Sequence, residues 1–529
     1  MKKGTMMKRS QEWPGARLEM PVPVAGLATW LRRVCERYPD RVALTCDDIH
    51  WQYGELQRRV ERMAAVLLQG GVGPGDRVGY LGFNDPMFLV ALFASARLGA
   101  IFVPLNFRLT GPEAAFVARD AGVHTLLCDA AHRSVIDGVR SELPCRRWLA
   151  VGGEQAAGWE LVPALDRPCG DVPTEVSAAY DDVAVIMYTS GTTGTPKGAM
   201  LTHGNFWTQN LATQYLLGLS WSDVVQNFAP LFHIGGLCCV TLPGLQAGAH
   251  LVLHRGWDAA QALKAIEQYR ITVSFAVPSM LIFLSQHPDF ERADLSSLRS
   301  IAVGGAPMPE ALLTQYAERG IPVHQAYGMT ETTATITFLN PDRASDKLGS
   351  CGTQAPLTEV RLADSAGRTI TEPHTRGEIC ARGPNVMKGY WNCPNDTAAS
   401  FDDEGWFHTG DVGYVDEQGF LYLCDRLKDM IISGGENVYP AEVESVLYRH
   451  PAIAEVAVIG APDKDWGERV VAVVVIKPGA SLALEELQTF TRESLAGYKI
   501  PRELRCLDAL PRTPTGKVLK GTLRAADRT

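Results

Sequence analysis

The segment NDPMFLVALFASARLGAIFVPLN, Asn84 to Asn106, sets the grammar of the chain. Asp85 can cap a helix, Pro86 suits its first position and Gly99 suits its end. AIFVPL then reads as a buried strand. This is the most apolar window in the sequence, yet Arg97, Gly99 and Pro104 interrupt it, so a helix then a strand is expected, not a membrane span. The alternation recurs in DAAQALKAIEQYR followed by ITVSFAVP, and in PEALLTQYAERG followed by IPVHQAYG. Short apolar strands alternating with helices imply βαβ units and largely parallel sheets. Ligands in such folds sit at the carboxyl ends of strands.

The chain has 529 residues, 46% hydrophobic and 21% charged. That length is too great for one core, so two or three domains are expected, and wholesale disorder is disfavoured. A net charge of −9 does not indicate a general nucleic-acid-binding surface. The basic residues Lys499, Arg502, Arg505, Arg512, Lys517, Lys520, Arg524 and Arg528 outnumber the acids Glu503, Asp508 and Asp527 in the last stretch. This surplus is either a solvated surface or a mobile basic end brought to a polyanion. The twelve cysteines include no CxxC, so neither a zinc site nor a disulfide framework follows, and a cytoplasmic setting fits. The start, MKKGTMMKRSQEWPG, carries positive charge with no apolar stretch behind it, unlike a secretory signal.

Near Asp425 the texture changes. FLYLCDRLKDMIISGGENVYP sets charges and paired glycines between apolar runs. A helix (PAEVESVLYRH), two strands (AEVAVIGAP, RVVAVVVIKPG), a second helix (ALEELQTFTRESLAG) and a last strand are expected after it. The fold expected is therefore α/β, with a large N-terminal domain of βαβ-type subdomains over 1–424, a hinge at 425–428 and a small α+β domain over 429–529.

After the apolar strand DVAVIMY comes YTSGTTGTPKG, Tyr188 to Gly198. Glycines let a backbone close around phosphate oxygens, and hydroxyls and N–H groups donate to them. The spacing is not that of a Walker A loop, because Lys197 follows Pro196 and precedes Gly198. Composition alone leaves a phosphate loop and a flexible surface loop equally open.

Further segments decide between them. YTSGTTGTPKG, YGMTET (Tyr327–Thr332), WFHTGDVG (Trp406–Gly413), DRLKDMIISGGENVYPAEVE (Asp425–Glu444) and PRTPTGKVLK (Pro511–Lys520) resemble, in order, the core motifs of the adenylate-forming superfamily. That superfamily comprises acyl-CoA synthetases, adenylation domains and firefly-type luciferases. SGGENVYPAEVE and GGAPMPEAL resemble most the fatty-acyl and aryl acyl-CoA ligases.

The resemblance implies a two-step reaction. A carboxylate attacks the α-phosphate of ATP to give acyl-AMP and pyrophosphate, and the thiol of coenzyme A then displaces AMP. It also implies roles. Thr189, Ser190, Gly191, Thr192, Thr193, Gly194 and Lys197 would grip the β- and γ-phosphates. Gly305, Ala306 and Pro307, with Tyr327, Gly328 and Met329, would border the nucleotide, and Tyr327 would pack on adenine. Thr330 would contact the α-phosphate and Glu331 would hold Mg²⁺. Asp411 would accept from the ribose hydroxyls, and Arg426 would support the ribose or phosphate.

Lys517 would bridge the carboxylate and the α-phosphate, carried there by rotation about Lys428. Ser433, Gly434, Gly435 and Glu436 would border the tunnel for the coenzyme A arm. His233 in APLFHIGG is either a gate at the carboxylate site or a packed core histidine. The acyl pocket would draw on Phe228, Phe232, His233, Val303, Gly304 and Ala326, which with no nearby arginine suit a hydrophobic acid: fatty, aryl or alicyclic. A homodimer is compatible with the resemblance. A stand-alone enzyme loading a carrier protein's phosphopantetheine, and a non-catalytic nucleotide-binding homologue, are the alternatives.

Overall fold

In the computed structural model the described residues are 26–166, 173–189, 196–306, 308–426, 429–433, 436–464, 466–512 and 518–525. Asn84–Asn106 folds as its sequence dictates. The Asp85 side chain accepts from the Met87 N–H at 2.8 Å, and the helix Pro86–Arg97 follows. Nearly all of its residues are buried, which is why it carries no polar face. Gly99 takes a φ of +68° and turns the chain into the fully buried strand Ile101–Leu105.

That strand lies in a seven-stranded sheet whose five other long strands are Arg77–Leu81, Val123–Asp129, Arg147–Val151, Val183–Thr189 and Lys197–Thr202. Its members pair in parallel except the last two, which form an antiparallel ladder from Val183↔Thr202 to Thr189↔Lys197.

A second sheet has fourteen strands. Six of its strands form the expected parallel array, Val42–Cys46, His250–Leu253, Val224–Asn227, Val273–Ala276, Ser300–Val303 and Val323–Tyr327, with Ile49–Gln52 antiparallel at the edge beside the first. The expectation of largely parallel sheets fails beyond Tyr327. Thr337–Leu339, Ser350–Gln354, Leu421–Arg426, Phe407–Val415, Gly377–Arg382, Glu359–Ala363 and Thr369–Ile370 pair antiparallel. Short turns join several of these strands, as at Asp416–Gly419, and a parallel crossover needs a dozen residues or more.

The C-terminal strands form their own five-stranded sheet around the long hairpin Ile453–Asp463/Gly467–Ile476, with the helices Pro440–Leu447 and Leu484–Arg492. Ile431, Val443, Leu447, Val458, Val470 and Leu487 make a separate core there. Where it is described, the basic surplus is tied into the small domain by ion pairs. Lys499 pairs with Glu442, Arg505 with Glu503, Arg512 with Glu455, Lys520 with Glu444 and Arg524 with Asp429. Arg502 lies 3.9 Å over the Trp466 ring. Among the described residues no helix is long and apolar enough to cross a membrane.

Candidate active site

The two large sheets meet where their strands end. Val183–Thr189 delivers Thr189, and the returning strand delivers Lys197 opposite it. From the second sheet, Ser300–Val303 runs into Gly304 and Gly305, and Val323–Tyr327 runs into Gly328. The Thr189 hydroxyl stands 3.5 Å from Glu331 Oε1 and 3.5 Å from the Lys197 carbonyl. Residues of both sheets therefore border one cleft, at the carboxyl ends of parallel strands. Gly305 and Ala306 are exposed there, and Gly305 has a φ of +86°.

Glu331 is only 5% exposed, an expensive place for a carboxylate. It sits on the 3₁₀ turn Thr330–Thr332. Its backbone is forced. A Cβ on Gly328 would lie 1.8 Å from the Ala334 carbonyl, and Thr333 and Ala334 adopt φ values of 51° and 90°. A β-branched residue at positive φ is strained and persists only when neighbours over-determine it. Asn385 does so. Its Nδ2 donates to the Thr332 and Thr335 carbonyls at 3.0 Å each, and its carbonyl accepts from the Thr333 hydroxyl at 2.7 Å.

Tyr390 connects the charged residues of the cleft. Its hydroxyl donates to Glu331 Oε1 at 2.9 Å, and its ring centroid lies 5.4 Å from Lys197 Nζ. Burial first, then the Glu331 carboxylate, push the Tyr390 phenol far above its usual range, so it stays a donor. Lys197 forms an ion pair with Asp396.

Asp411, 7% exposed, accepts from the Tyr327 hydroxyl at 2.8 Å. Burial, and then Asp411, raise the Tyr327 phenol well above its usual range. The Asp411 N–H donates to Thr409 Oγ1, and Glu378 accepts from the Gly410 N–H at 3.0 Å while pairing with His408 at 2.8 Å. Arg426 stands opposite Asp411 in the ladder.

The residues expected to line an acyl pocket divide between two faces of the parallel sheet. Phe228 and Val303 pack with Leu281, Met308 and Tyr316. Ala326 packs on the other face, with Ala302, Phe275, Ile234 and Phe338. Side chains of neighbouring strand residues point to opposite faces, so segments that adjoin in sequence need not share a chamber. Gly304 belongs with Ala326: a Cβ there would lie 3.1 Å from the Ala326 carbonyl. His233 precedes the short helix Ile234–Gly236, its ring centroid 4.2 Å from that of Phe232, and Phe232 meets Phe107 edge-on.

In the small domain, Ser433 pairs with Glu436, leaving two residues between them. Ser433 is buried and Glu436 exposed. Ser190, Gly191, Thr192, Thr193, Gly194, Pro307, Lys428, Gly434, Gly435 and Lys517 lie outside the described residues. Met329 and Thr330 are half-buried beside the cleft. The sequence reading passed over Tyr390, Asp396 and Asn385. The one local signal for them is the GYW of Gly389–Trp391 followed by Pro394, an aromatic pair leading into a helix start.

An all-oxygen set of a buried carboxylate beside hydroxyls is the donor chemistry Mg²⁺ takes. The cleft thus offers oxygen ligands for a hard cation, an ammonium for phosphate and a carboxylate held for hydroxyl donors.

Comparison with known proteins gives the family. Residues 31–391 match the AMP-binding enzyme family and residues 442–517 the AMP-binding enzyme C-terminal domain. A feruloyl-CoA synthase of Amycolatopsis sp is 44% identical over 94% of this chain and 98% of its own. The indoleacetate–CoA ligase of Aromatoleum aromaticum is 42% identical over 94% and 97%. The o-succinylbenzoate CoA synthetase of Bacillus subtilis, solved with its acyl-adenylate intermediate, superposes with a TM-score of 0.84 at 36% identity, covering 94% of this chain and 97% of that one. It has also been solved with ATP and magnesium ion, again at a TM-score of 0.84, 36% identity and 93% and 98% coverage.

Proposed function

This chain belongs to the AMP-binding enzyme family, and we infer that it joins a hydrophobic carboxylic acid to the thiol of coenzyme A at the expense of ATP. The observation that carries the assignment is the meeting of Thr189, Lys197, Tyr390 and Glu331 at the joined strand ends, with the Tyr327–Asp411 pair in the same fourteen-stranded sheet as Val323–Tyr327.

In the first half-reaction a carboxylate oxygen bonds to the α-phosphorus and pyrophosphate leaves. The chemistry requires in-line placement and neutralised charge more than a protein nucleophile. Lys197 and the Thr189–Gly194 loop hold the β- and γ-phosphates, and Thr330 contacts the α-phosphate. Glu331 is the carboxylate that would hold Mg²⁺, which would supply positive charge to neutralise the phosphates. Asp411, oriented by Tyr327, accepts from the ribose hydroxyls, and Arg426 supports it from the opposite strand. Gly304–Pro307 and Tyr327–Met329 border the nucleotide. Lys517 stabilises charge where the carboxylate meets the phosphate.

In the second half-reaction the thiol sulfur bonds to the carbonyl carbon, AMP leaves and the thiol proton is released. The segment Ser433–Glu436 borders that approach, after the domain 429–529 turns about 425–428. His233 stands at the mouth of the acyl pocket.

The acid is an aryl or arylalkyl acid. Relatives above 40% identity are named for feruloyl-CoA and indoleacetate, and the Ala326 face is lined by Phe275 and Phe338. The enzyme works in the cytoplasm, in keeping with eleven free cysteines among the described residues. A pyrophosphate-release screen over hydroxycinnamic, indole-bearing and fatty acids, with and without coenzyme A, tests this. Acid-dependent AMP and thioester formation with coenzyme A is expected. A thioester formed only on a carrier protein would refute the acceptor, and a preference for long-chain acids would refute the acid.

A further inference from the structure

We propose that Asp396 is the resting counter-ion of Lys197 and that an incoming polyphosphate displaces it. The proposal rests on the assignment of Lys197 to the β- and γ-phosphates. Asp396 belongs to no motif singled out by the sequence. It lies in the first turn of the short helix Pro394–Ala399, and its carboxylate pairs with the Lys197 ammonium. The Lys197 side chain is 17% exposed and that of Asp396 45%.

The partners are held by backbone, not by chance side-chain reach. Residues 388–391 run alongside the strand that carries Lys197. Met200 N–H donates to the Gly389 carbonyl at 2.9 Å, Lys388 N–H to the Met200 carbonyl at 3.0 Å and Trp391 N–H to the Gly198 carbonyl at 2.7 Å. The Tyr390 N–H donates to Thr397 Oγ1 at 2.9 Å, tying this run to the helix that bears Asp396. The lysine is thereby fixed between an aromatic face and a carboxylate, and the same tyrosine orients Glu331.

A carboxylate and a polyphosphate cannot both stay in contact with one ammonium without repelling each other. The triphosphate carries more charge and captures the lysine, while Asp396, nearly half exposed, turns to water. When pyrophosphate leaves, the ion pair re-forms. Asp396 therefore weakens polyphosphate binding and speeds release of the leaving group. It is a positioning residue, acting only through Lys197.

The test is calorimetric titration of Mg²⁺–pyrophosphate into the full-length enzyme, without acid or coenzyme A, for wild type, Asp396→Asn, Lys197→Ala and the double variant. An ion pair of this exposure offers roughly 1.5- to 5-fold in affinity, so Asp396→Asn should bind that much more tightly. Lys197→Ala should bind more weakly, and Asp396→Asn should add nothing in the Lys197→Ala background. Turnover should show the same sign, as stronger product inhibition by pyrophosphate in Asp396→Asn. Weaker or unchanged binding in Asp396→Asn would overturn the proposal, as would a gain that persists without Lys197. Unchanged affinity in Lys197→Ala would instead overturn the phosphate assignment beneath it.

Discussion

Replacing Tyr390 by phenylalanine removes one oxygen and with it the 2.9 Å donation to Glu331 Oε1. The ring stays, so its packing beside Lys197 is kept. A hydrogen bond to a charged acceptor contributes about 1.5–3 kcal/mol, a factor of roughly 10–150 in binding. Glu331 is 5% exposed, so water replaces the lost donor poorly. The Thr189 hydroxyl at 3.5 Å stands too far to substitute fully. A value at the low end of that range, about tenfold, is expected because the cleft opens to solvent at Gly305 and Ala306. The assay is acid-dependent pyrophosphate release as a function of free Mg²⁺ at saturating ATP, with Mg²⁺–ATP binding by calorimetry. Half-saturating Mg²⁺ should rise about tenfold, and excess metal should restore most of the turnover. In a Glu331→Gln background the tyrosine substitution should do little more. Tighter metal binding in Tyr390→Phe would mean that the hydroxyl competes for the oxygen the metal needs. That result would refute the claim that Tyr390 positions Glu331.

The two half-reactions should separate. Lys517→Ala should lose most carboxylate-dependent pyrophosphate release yet convert a pre-made acyl-AMP to thioester, whereas Gly435→Leu should adenylate and fail with coenzyme A; equal loss of both activities in either variant contradicts its assignment. Stability should fall with acid for a reason unrelated to catalysis. Burial holds His203 and His324 down to about 4, against an unfolded value of about 6.5. The unfolded chain takes up those protons first, so their contribution is complete above pH 6.5 and is lost as pH falls toward 4, at about 2 kcal/mol for each histidine by pH 5. Urea unfolding between pH 5 and 7.5 checks this, and stability that rises on acidification would contradict it.

Asp85, Pro86 and Gly99 were legible because their work is local: a cap, a pre-set φ and a left-handed exit, each settled within a few residues. The antiparallel run beyond Tyr327 was not. Thr369–Ile370 is two residues long, and Ser350–Gln354 is broken by Gly352 at a φ of +92°, so neither has the length over which a period of two can be read. The charged residues of the cleft were visible as motif members, but the groups that hold them were not. Asn385 and Tyr390 reach the Glu331 turn across more than fifty residues of chain, and no spacing rule in one sequence reports such a contact.

The acyl residues show how the same limit acts on substrate choice. Phe228, Val303 and Ala326 lie at three strand ends that the sequence places side by side, and a lining drawn from segments groups them. The pleat sends Phe228 and Val303 to one face and Ala326 to the other. The six residues grouped by the sequence therefore do not share one packing face. On the Ala326 face, Ala302 and Ala326 are small and Gly304 has no side chain at all, its absent Cβ only 3.1 Å from the Ala326 carbonyl. Phe275 and Phe338 supply the bulk around them. If this face takes the acid, as proposed, small residues between two rings favour a flat acid over a branched one, because a planar ring stacks against aromatic walls in little depth. On the proposed assignment, enlarging Ala326 should shift acid preference more than changing Val303 on the opposite face, and turnover over a panel of flat and branched acids checks this.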